Sequence, residues 1–383
     1  MPGTWLLGSE VTHHGDGDAG PGGARAVLLG LRDGDAGPAD PLDELARLAE
    51  TDGVAVVGRL VQPRDRPDPA TYLGSGKVAE LADLVRDRDA GLVIADGELS
   101  PAQATTLEDR LGARVVDRTA LILDIFAQHA RSSEGKAQVE LAQLAYQLPR
   151  LTGHGVELSR VGGGRSAGAA GTGVRGPGEQ QLETRRRHLR RRMTLLRRQV
   201  QETARRRERT RSRRRRNRVP SVALTGYTNA GKSALMNRLA GADVLVQDAL
   251  FATLDPTVRR MHTPDGRPFT LTDTVGFVRH LPHQLVDAFR STLEEVVEAD
   301  LVLHVVDASA PDAMDQVTAV RGVLSDIGAR DHPELLALNK VDVAPPGRLA
   351  TLRTTYPGAV AVSALTGAGV DELRQAIAER LDG

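Results

Sequence analysis

The residues with the clearest chemistry form a phosphate-binding loop in the C-terminal half of the chain. Residues 221–225 are an apolar run that predicts a buried strand, and a helical run follows at 234–240. The eight residues between them fit the pattern G-x-x-x-x-G-K-S: Gly226, Tyr227, Thr228, Asn229, Ala230, Gly231, Lys232 and Ser233. Such a loop turns backbone N–H groups and a helix N-terminus toward phosphate oxygens. We expect Lys232 to reach the β- and γ-phosphates and Ser233 to bind Mg²⁺.

Two later segments are predicted to complete the Mg²⁺ site and to sense the γ-phosphate. A strand leads into Asp273, Thr274, Val275 and Gly276; Asp273 can hold Mg²⁺ through a water, and the Gly276 N–H can bond the γ-phosphate. The other segment, switch I (residues 251–257), contains Phe251, Ala252, Thr253, Leu254 and Asp255, all predicted to line the nucleotide site. We expect its Thr253, in preference to Thr257, to be a metal ligand. The predicted catalytic residues are Lys232, Thr253 and Gly276, and the predicted metal ligands are Ser233, Thr253 and Asp273.

The ends of two further strands predict that the base is guanine. One strand ends in Asn339, Lys340, Val341 and Asp342, and the other in Ser363, Ala364 and Leu365. The Asp342 carboxylate can accept hydrogen bonds from the N1–H and N2–H₂ groups of guanine, and a site built for those bonds rejects adenine. The backbone amides of the second group can meet the guanine O6. GTP and GDP are therefore the predicted ligands, with Mg²⁺ as the cofactor.

Hydrolysis by the isolated chain is predicted to be slow. Phe277 follows Gly276, at the position where many GTPases place a glutamine that orients the attacking water. A phenyl ring neither donates nor accepts a hydrogen bond in that role. Either an outside partner stimulates the reaction, or a residue elsewhere in the chain orients the water.

The elements that must position these residues predict an α/β fold class in several domains. Residues 1–40 are rich in Gly and Asp and predict a flexible leader; alternating helix and strand patterns over 41–132 predict an N-terminal α/β domain. Residues 133–219 predict an antiparallel helical hairpin, and 220–383 a P-loop GTPase domain of the Ras-like type. Aromatic residues make up only 3% of the chain, so Leu, Val and Ala must build the cores.

The predicted hairpin carries most of the charge asymmetry of the chain. Its helices are predicted over 133–150 and 180–216, and ten glycines in residues 153–178 predict a flexible tip loop. Residues 182–218 contain 18 arginines and three glutamates, although the net charge of the whole chain is +0. A basic segment on an otherwise acidic chain indicates a polyanionic partner, of which RNA is the best candidate.

The composition also limits the setting in which the protein works. There are no cysteines, which excludes disulfides and thiolate metal sites. We find no apolar stretch of about 20 residues that would span a membrane, and no signal-peptide pattern at Met1. We expect a soluble, cytoplasmic monomer.

The whole set of motifs resembles the HflX family of translational GTPases, from about Asp40 onward. The resemblance rests on the switch segments and on four stretches before the GTPase domain, at residues 72–77, 116–127, 134–142 and 175–185. It implies that the protein binds the large ribosomal subunit in its GTP form, through rRNA contacts of the Arg-rich hairpin. It also implies that the protein splits stalled or hibernating ribosomes, with hydrolysis stimulated by the ribosome. The alternative is a GTP-switched RNA-binding assembly or regulatory factor that splits nothing.

Two departures from the family pattern bear on affinity and reach. Ala234 stands where a hydroxyl residue usually follows the loop serine, which removes a contact to the α-phosphate. Residues 165–170 lengthen the tip loop.

Overall fold

The computed structural model describes residues 24–32, 40–151, 177–216, 219–241, 250–251, 253–279 and 290–382. The chain divides into two compact units. One comprises Met1–Gln128 and Val139–Arg198, and the other His129–Gln138 and Gln199–Gly383.

The first unit is built on a four-stranded parallel sheet in the order β2-β1-β3-β4. Its strands are β1 (Arg25–Arg32), β2 (Ala55–Pro63), β3 (Leu92–Ala95) and β4 (Arg114–Asp117). Its helices are α1 (Asp43–Thr51), α2 (Ser75–Asp87), α3 (Pro101–Leu111) and α4 (Arg118–His129). Leu, Val and Ala make up almost all of its buried cluster, as the low aromatic content predicts.

The prediction of a flexible leader over residues 1–40 is wrong at Arg25–Arg32, which form strand β1. This strand pairs with both β2 and β3, and Ala26, Val27, Leu28 and Leu29 are fully buried. A buried parallel strand is a short continuous apolar run without alternation. Such a run inside a Gly- and Asp-rich stretch gives little signal. The other residues of the predicted leader, 1–23 and 33–39, lie outside the described residues.

The hairpin helices are α5 (Ser133–Arg150) and α6 (Pro177–Arg216). Ion pairs join them within each unit: Arg207 lies 2.7 Å from Glu134, and Arg192 lies 2.6 Å from Glu140. Helix α6 begins at Pro177, so the last two residues of the predicted tip loop, 177 and 178, are helical. The remainder of that loop lies outside the described residues.

The second unit contains a six-stranded sheet in the order β10-β9-β8-β5-β7-β6. The strands are β5 (Ser221–Gly226), β6 (Thr257–His262), β7 (Pro268–Asp273), β8 (Leu301–Asp307), β9 (Glu334–Asn339) and β10 (Val360–Ala361). All neighbours pair parallel except β6, which runs antiparallel to β7. The helices are α7 (Lys232–Ala240), α8 (Arg290–Val297), α9 (Ala313–Asp326), α10 (Pro346–Thr355) and α11 (Val370–Asp382).

Apart from switch I, which precedes β6, the predicted site residues follow the carboxyl ends of the parallel strands of this second sheet. In open α/β sheets, ligands bind at that edge. Among the residues that the structure describes, no helix is both long and apolar enough to cross a membrane.

Candidate nucleotide-binding site

The phosphate-binding loop connects β5 to α7 in a conformation that depends on its glycines. Gly226 has φ +145°, and a Cβ atom there would overlap the carbonyl oxygen of Val305 on β8. Gly231 has φ +89° and is the N-cap of α7, where a Cβ would overlap the side-chain amide of Asn339. Asn229 also adopts a positive φ, of 59°. The loop is therefore packed against two neighbouring strand ends.

Lys232 provides a buried positive charge at the start of α7. Its Nζ donates to the carbonyl oxygens of Gly226 (3.2 Å) and Tyr227 (2.9 Å). Burial lowers the pKa of Lys232 to about 8, and the Asp273 carboxylate acts in the opposite direction. A buried ammonium at a helix N-terminus is incompletely compensated, so the loop favours an anionic ligand such as a phosphate chain.

Three oxygen-bearing side chains meet beside this lysine. Ser233 Oγ lies 2.6 Å from Asp273 Oδ2 and 2.8 Å from Thr253 Oγ1, which itself lies 3.1 Å from Asp273 Oδ2. Burial raises the pKa of Asp273, opposed by Lys232 and by the two hydroxyls. Asp273 Oδ1 is buried and has no hydrogen-bond partner among the described residues. Hydroxyl and carboxylate oxygens with an unused acceptor fit a hard cation such as Mg²⁺.

The end of β7 lies directly against the phosphate-binding loop. A Cβ on Gly276 would come within 2.8 Å of Thr228 Cγ2 and 3.0 Å of Lys232 Nζ, so this position has no room for a side chain. The backbone of Phe277 is hydrogen-bonded to the loop twice, as donor to Gly226 O (3.1 Å) and as acceptor from Thr228 N (2.7 Å). Its ring is fully buried. The side chain that follows Gly276 therefore packs into the protein interior and orients no water.

Asn339 joins the phosphate-binding loop to the second predicted base-binding segment. Its Nδ2 donates to Ala230 O (2.8 Å), and its Oδ1 accepts from Ala364 N (3.0 Å). Lys340 has φ +62°, and its Nζ lies 2.8 Å from Asp307 Oδ2. Asp342 and Leu365 are exposed, as groups that await a base would be. The two segments predicted to bind guanine thus converge at one edge of the sheet.

Several residues predicted to line the nucleotide site have their side chains engaged elsewhere. Thr274 Oγ1 donates to Leu224 O at 2.6 Å and is fully buried. The Tyr227 hydroxyl accepts from Arg279 N at 2.8 Å. The Asp255 carboxylate binds the start of α5. For these positions nucleotide contact remains a prediction for the backbone, and Ala252 lies outside the described residues.

Two residues that support the site were not identified from the sequence. Arg238 on α7 donates to the carbonyl oxygens of Ala364 (3.0 Å) and Leu365 (2.5 Å), which fixes the loop after β10. Asp307, at the end of β8, holds Lys340. An acidic residue at the end of a buried parallel strand was a usable signal for Asp307. Arg238 carried none, since it occupies an ordinary helix position.

Comparisons with known proteins decide the family. Models for the GTP-binding GTPase N-terminal region, the GTP-binding GTPase middle region and the 50S ribosome-binding GTPase match residues 39–127, 129–214 and 221–340. GTPase HflX of Caldanaerobacter subterraneus subsp. tengcongensis is 48% identical over 93% of this chain and 80% of its own length. The chain belongs to the HflX family of GTPases.

Further comparisons agree with that assignment. GTPase HflX of Escherichia coli K12 is 44% identical over 94% of this chain and 84% of its own length. The crystal structure of SsGBP in complex with GDP aligns with a TM-score of 0.50 at 25% identity, and covers 94% of this chain and 98% of that one. This HflX-family chain is therefore an α/β protein with a P-loop domain that hydrolyses GTP, which confirms the predicted fold class and enzyme activity.

Proposed function

We propose that this protein is a ribosome-activated GTPase: in its GTP form it binds the large ribosomal subunit and separates ribosomes into subunits. The observation that carries the proposal is a long, exposed, arginine-rich helix in a GTPase whose glutamine position is occupied by a buried phenylalanine. The family model that matches residues 221–340 is described as a 50S ribosome-binding GTPase, which agrees with this partner.

The surface of α6 is suited to RNA phosphate. Among the α6 arginines whose exposure the structure describes, ten are exposed: Arg185, Arg187, Arg190, Arg191, Arg192, Arg197, Arg198, Arg205, Arg206 and Arg209. Met193 and Leu196 are buried, so a narrow apolar stripe holds the helix while the other faces present guanidinium groups. Each phosphate contact made by such a surface displaces condensed counterions, so we expect affinity to fall steeply with salt.

The chain's own residues account for a slow basal reaction. In the proposed enzyme, Lys232 neutralises charge on the β- and γ-phosphates, and the Gly276 N–H bonds the γ-phosphate. Ser233, Thr253 and Asp273 would hold Mg²⁺, which supplies further positive charge at the phosphates when bound. Because the Phe277 ring is fully buried, the group that orients water must come from the ribosome or from another part of the chain.

Subunit profiles on sucrose gradients test the splitting activity. Intact ribosomes would be incubated with the protein and a non-hydrolysable GTP analogue, with GDP, or without nucleotide. A test variant would replace Arg190, Arg191, Arg197 and Arg198 with glutamine to remove four positive charges from α6. The proposal predicts conversion to subunits with the analogue alone, and weak conversion by the variant. Comigration of the protein with the large subunit without loss of intact ribosomes would instead support an assembly or regulatory factor that binds RNA.

A further inference from the structure

Switch I carries a carboxylate that is bound to the beginning of the hairpin. Asp255 Oδ2 accepts hydrogen bonds from the backbone N–H groups of Arg131 (3.1 Å) and Ser132 (2.7 Å). Asp255 Oδ1 accepts from the Ser132 hydroxyl. The same hydroxyl oxygen accepts from Gly135 N at 2.8 Å, in the first turn of α5. Together these four bonds form a cap on the first helix of the hairpin, which we name the Asp255 clamp.

The clamp satisfies donors that the helix cannot satisfy by itself. The first N–H groups of any helix have no partner within it, and a carboxylate near them is also favoured by the helix dipole. The local N-cap of α5 is Ser132, whose hydroxyl oxygen accepts from Gly135 N and whose carbonyl oxygen accepts from Lys136 N. Asp255 holds this capping residue from 123 positions away along the chain, in a segment that is predicted to serve the nucleotide site.

The clamp is adjacent to the metal-binding hydroxyl. Thr253, two residues before Asp255, makes its 2.8 and 3.1 Å contacts with Ser233 and Asp273. Leu254, between them, is 3% exposed and thus anchored in the core. A short segment with both ends held and its centre buried cannot move at one end alone. A shift in the position of Thr253 must therefore also shift Asp255.

The space around the clamp is tightly filled. Gly135 is buried, and a Cβ built on it would overlap the Asp255 carboxylate. Alanine is normally the better helix residue, by about 1 kcal/mol over glycine. Glycine at this helical position is therefore explained by the approach of the carboxylate.

We propose that Asp255 is a positioning residue that couples the nucleotide to the hairpin: triphosphate binding, which holds Thr253 at the metal site, also closes the clamp on α5. The inference deepens the proposed function, on which its link to the ribosome rests. Coupling of this kind is reciprocal, so loss of the clamp must weaken triphosphate binding by the factor with which the triphosphate strengthens the clamp. Diphosphate binding, which makes no demand on Thr253, changes little.

The test compares nucleotide affinities of clamp variants with those of a surface control. Asp255→Ala removes all three bonds to the carboxylate, whereas Asp255→Asn retains an oxygen for the two backbone donors. For Asp255→Ala we expect about five- to tenfold weaker binding of a non-hydrolysable GTP analogue, which is the lower end of the range for coupling between two sites. Binding of GDP should be nearly unchanged, and Asp255→Asn should fall between wild type and Asp255→Ala. The control is Asp371→Asn, whose side chain is 91% exposed.

A second readout is independent of nucleotide affinity and of ribosomes. Hydrogen exchange at the amides of residues 135–138 should be slower with the GTP analogue than with GDP in the wild type. That difference should disappear in Asp255→Ala. Gly135→Ala should also reduce the difference, because its Cβ displaces the carboxylate, even though alanine stabilises an ordinary helix. Thermal unfolding checks that each variant is folded.

The outcomes separate this proposal from the proposed function. The coupling is refuted if Asp255→Ala lowers the affinities for both nucleotides equally. It is also refuted if amide exchange at residues 135–138 is the same with either nucleotide. If the exchange difference is present while the wild type leaves ribosomes intact, the coupling is supported and the proposed splitting activity is refuted.

Discussion

Asn339 should be the residue whose loss most clearly damages the whole nucleotide site. Its side chain is 1% exposed and bridges the phosphate-binding loop and the loop after β10 through Ala230 O and Ala364 N. Asn339→Ala removes both bonds and leaves a buried acceptor and a buried donor without partners. Each such group costs about 1–3 kcal/mol, so for the two together we expect a stability loss of about 2–6 kcal/mol. That is a large part of the about 5–15 kcal/mol that stabilises an ordinary domain.

Two measurements check this prediction. Urea unfolding gives the loss of stability, and titration with fluorescent GDP and GTP analogues gives the affinities. Because both nucleotides use the two bridged loops, their affinities should fall together, by about tenfold for each 1.4 kcal/mol of binding energy lost. Gln375→Ala is the matched control, since it removes an exposed amide of α11 and should cost less than about 0.5 kcal/mol. A change in Asn339→Ala no larger than in this control would refute the bridging role.

Two other predictions concern a close contact and a buried acid. Gly276→Ala places a Cβ 2.8 Å from Thr228 Cγ2, and this overpacking should lower the stability of the domain by about 1–3 kcal/mol. It should also weaken binding of the GTP analogue more than binding of GDP. Equal losses of affinity for the two nucleotides would contradict this prediction. Burial, together with the neighbouring Asp124, raises the pKa of Asp52 from 3.8 to about 8. Between about pH 4 and pH 8 the folded chain thus keeps a proton that the unfolded chain has already lost. The free energy of unfolding should therefore decline through that window by up to about 1.4 kcal/mol per pH unit and level off above it. Asp52→Asn should flatten the decline in urea unfolding at several pH values, and an unchanged pH slope would show that another group causes it.

The nucleotide motifs were predictable because each is local in sequence. The phosphate-binding loop requires glycine at its two ends for backbone reasons, and the strand before it and the helix after it are contiguous. The structure brings Lys232, Ser233, Thr253 and Asp273 together as those motifs predict.

Other features depend on contacts that sequence patterns do not record. Strand β1 was missed because a buried parallel strand has no alternation. Helix α4 shows no amphipathic period, because nine of its residues, Arg118–Phe126, are all buried. The engagement of Asp255 was missed because its partners, Arg131 and Ser132, lie more than 120 residues away. Nothing in switch I alone distinguishes a carboxylate that faces a nucleotide from one that caps a helix.

Ribosome activation can be measured as GTP turnover with and without purified large ribosomal subunits, at low and moderate salt. A charge-reversed variant of residues 205–216 would be measured beside the wild type. We predict slow turnover by the protein alone, and strong stimulation by the subunit that becomes weaker with added salt and in the variant. Fast turnover that is the same with and without the subunit would contradict both the slow basal hydrolysis expected from Phe277 and the proposed partner.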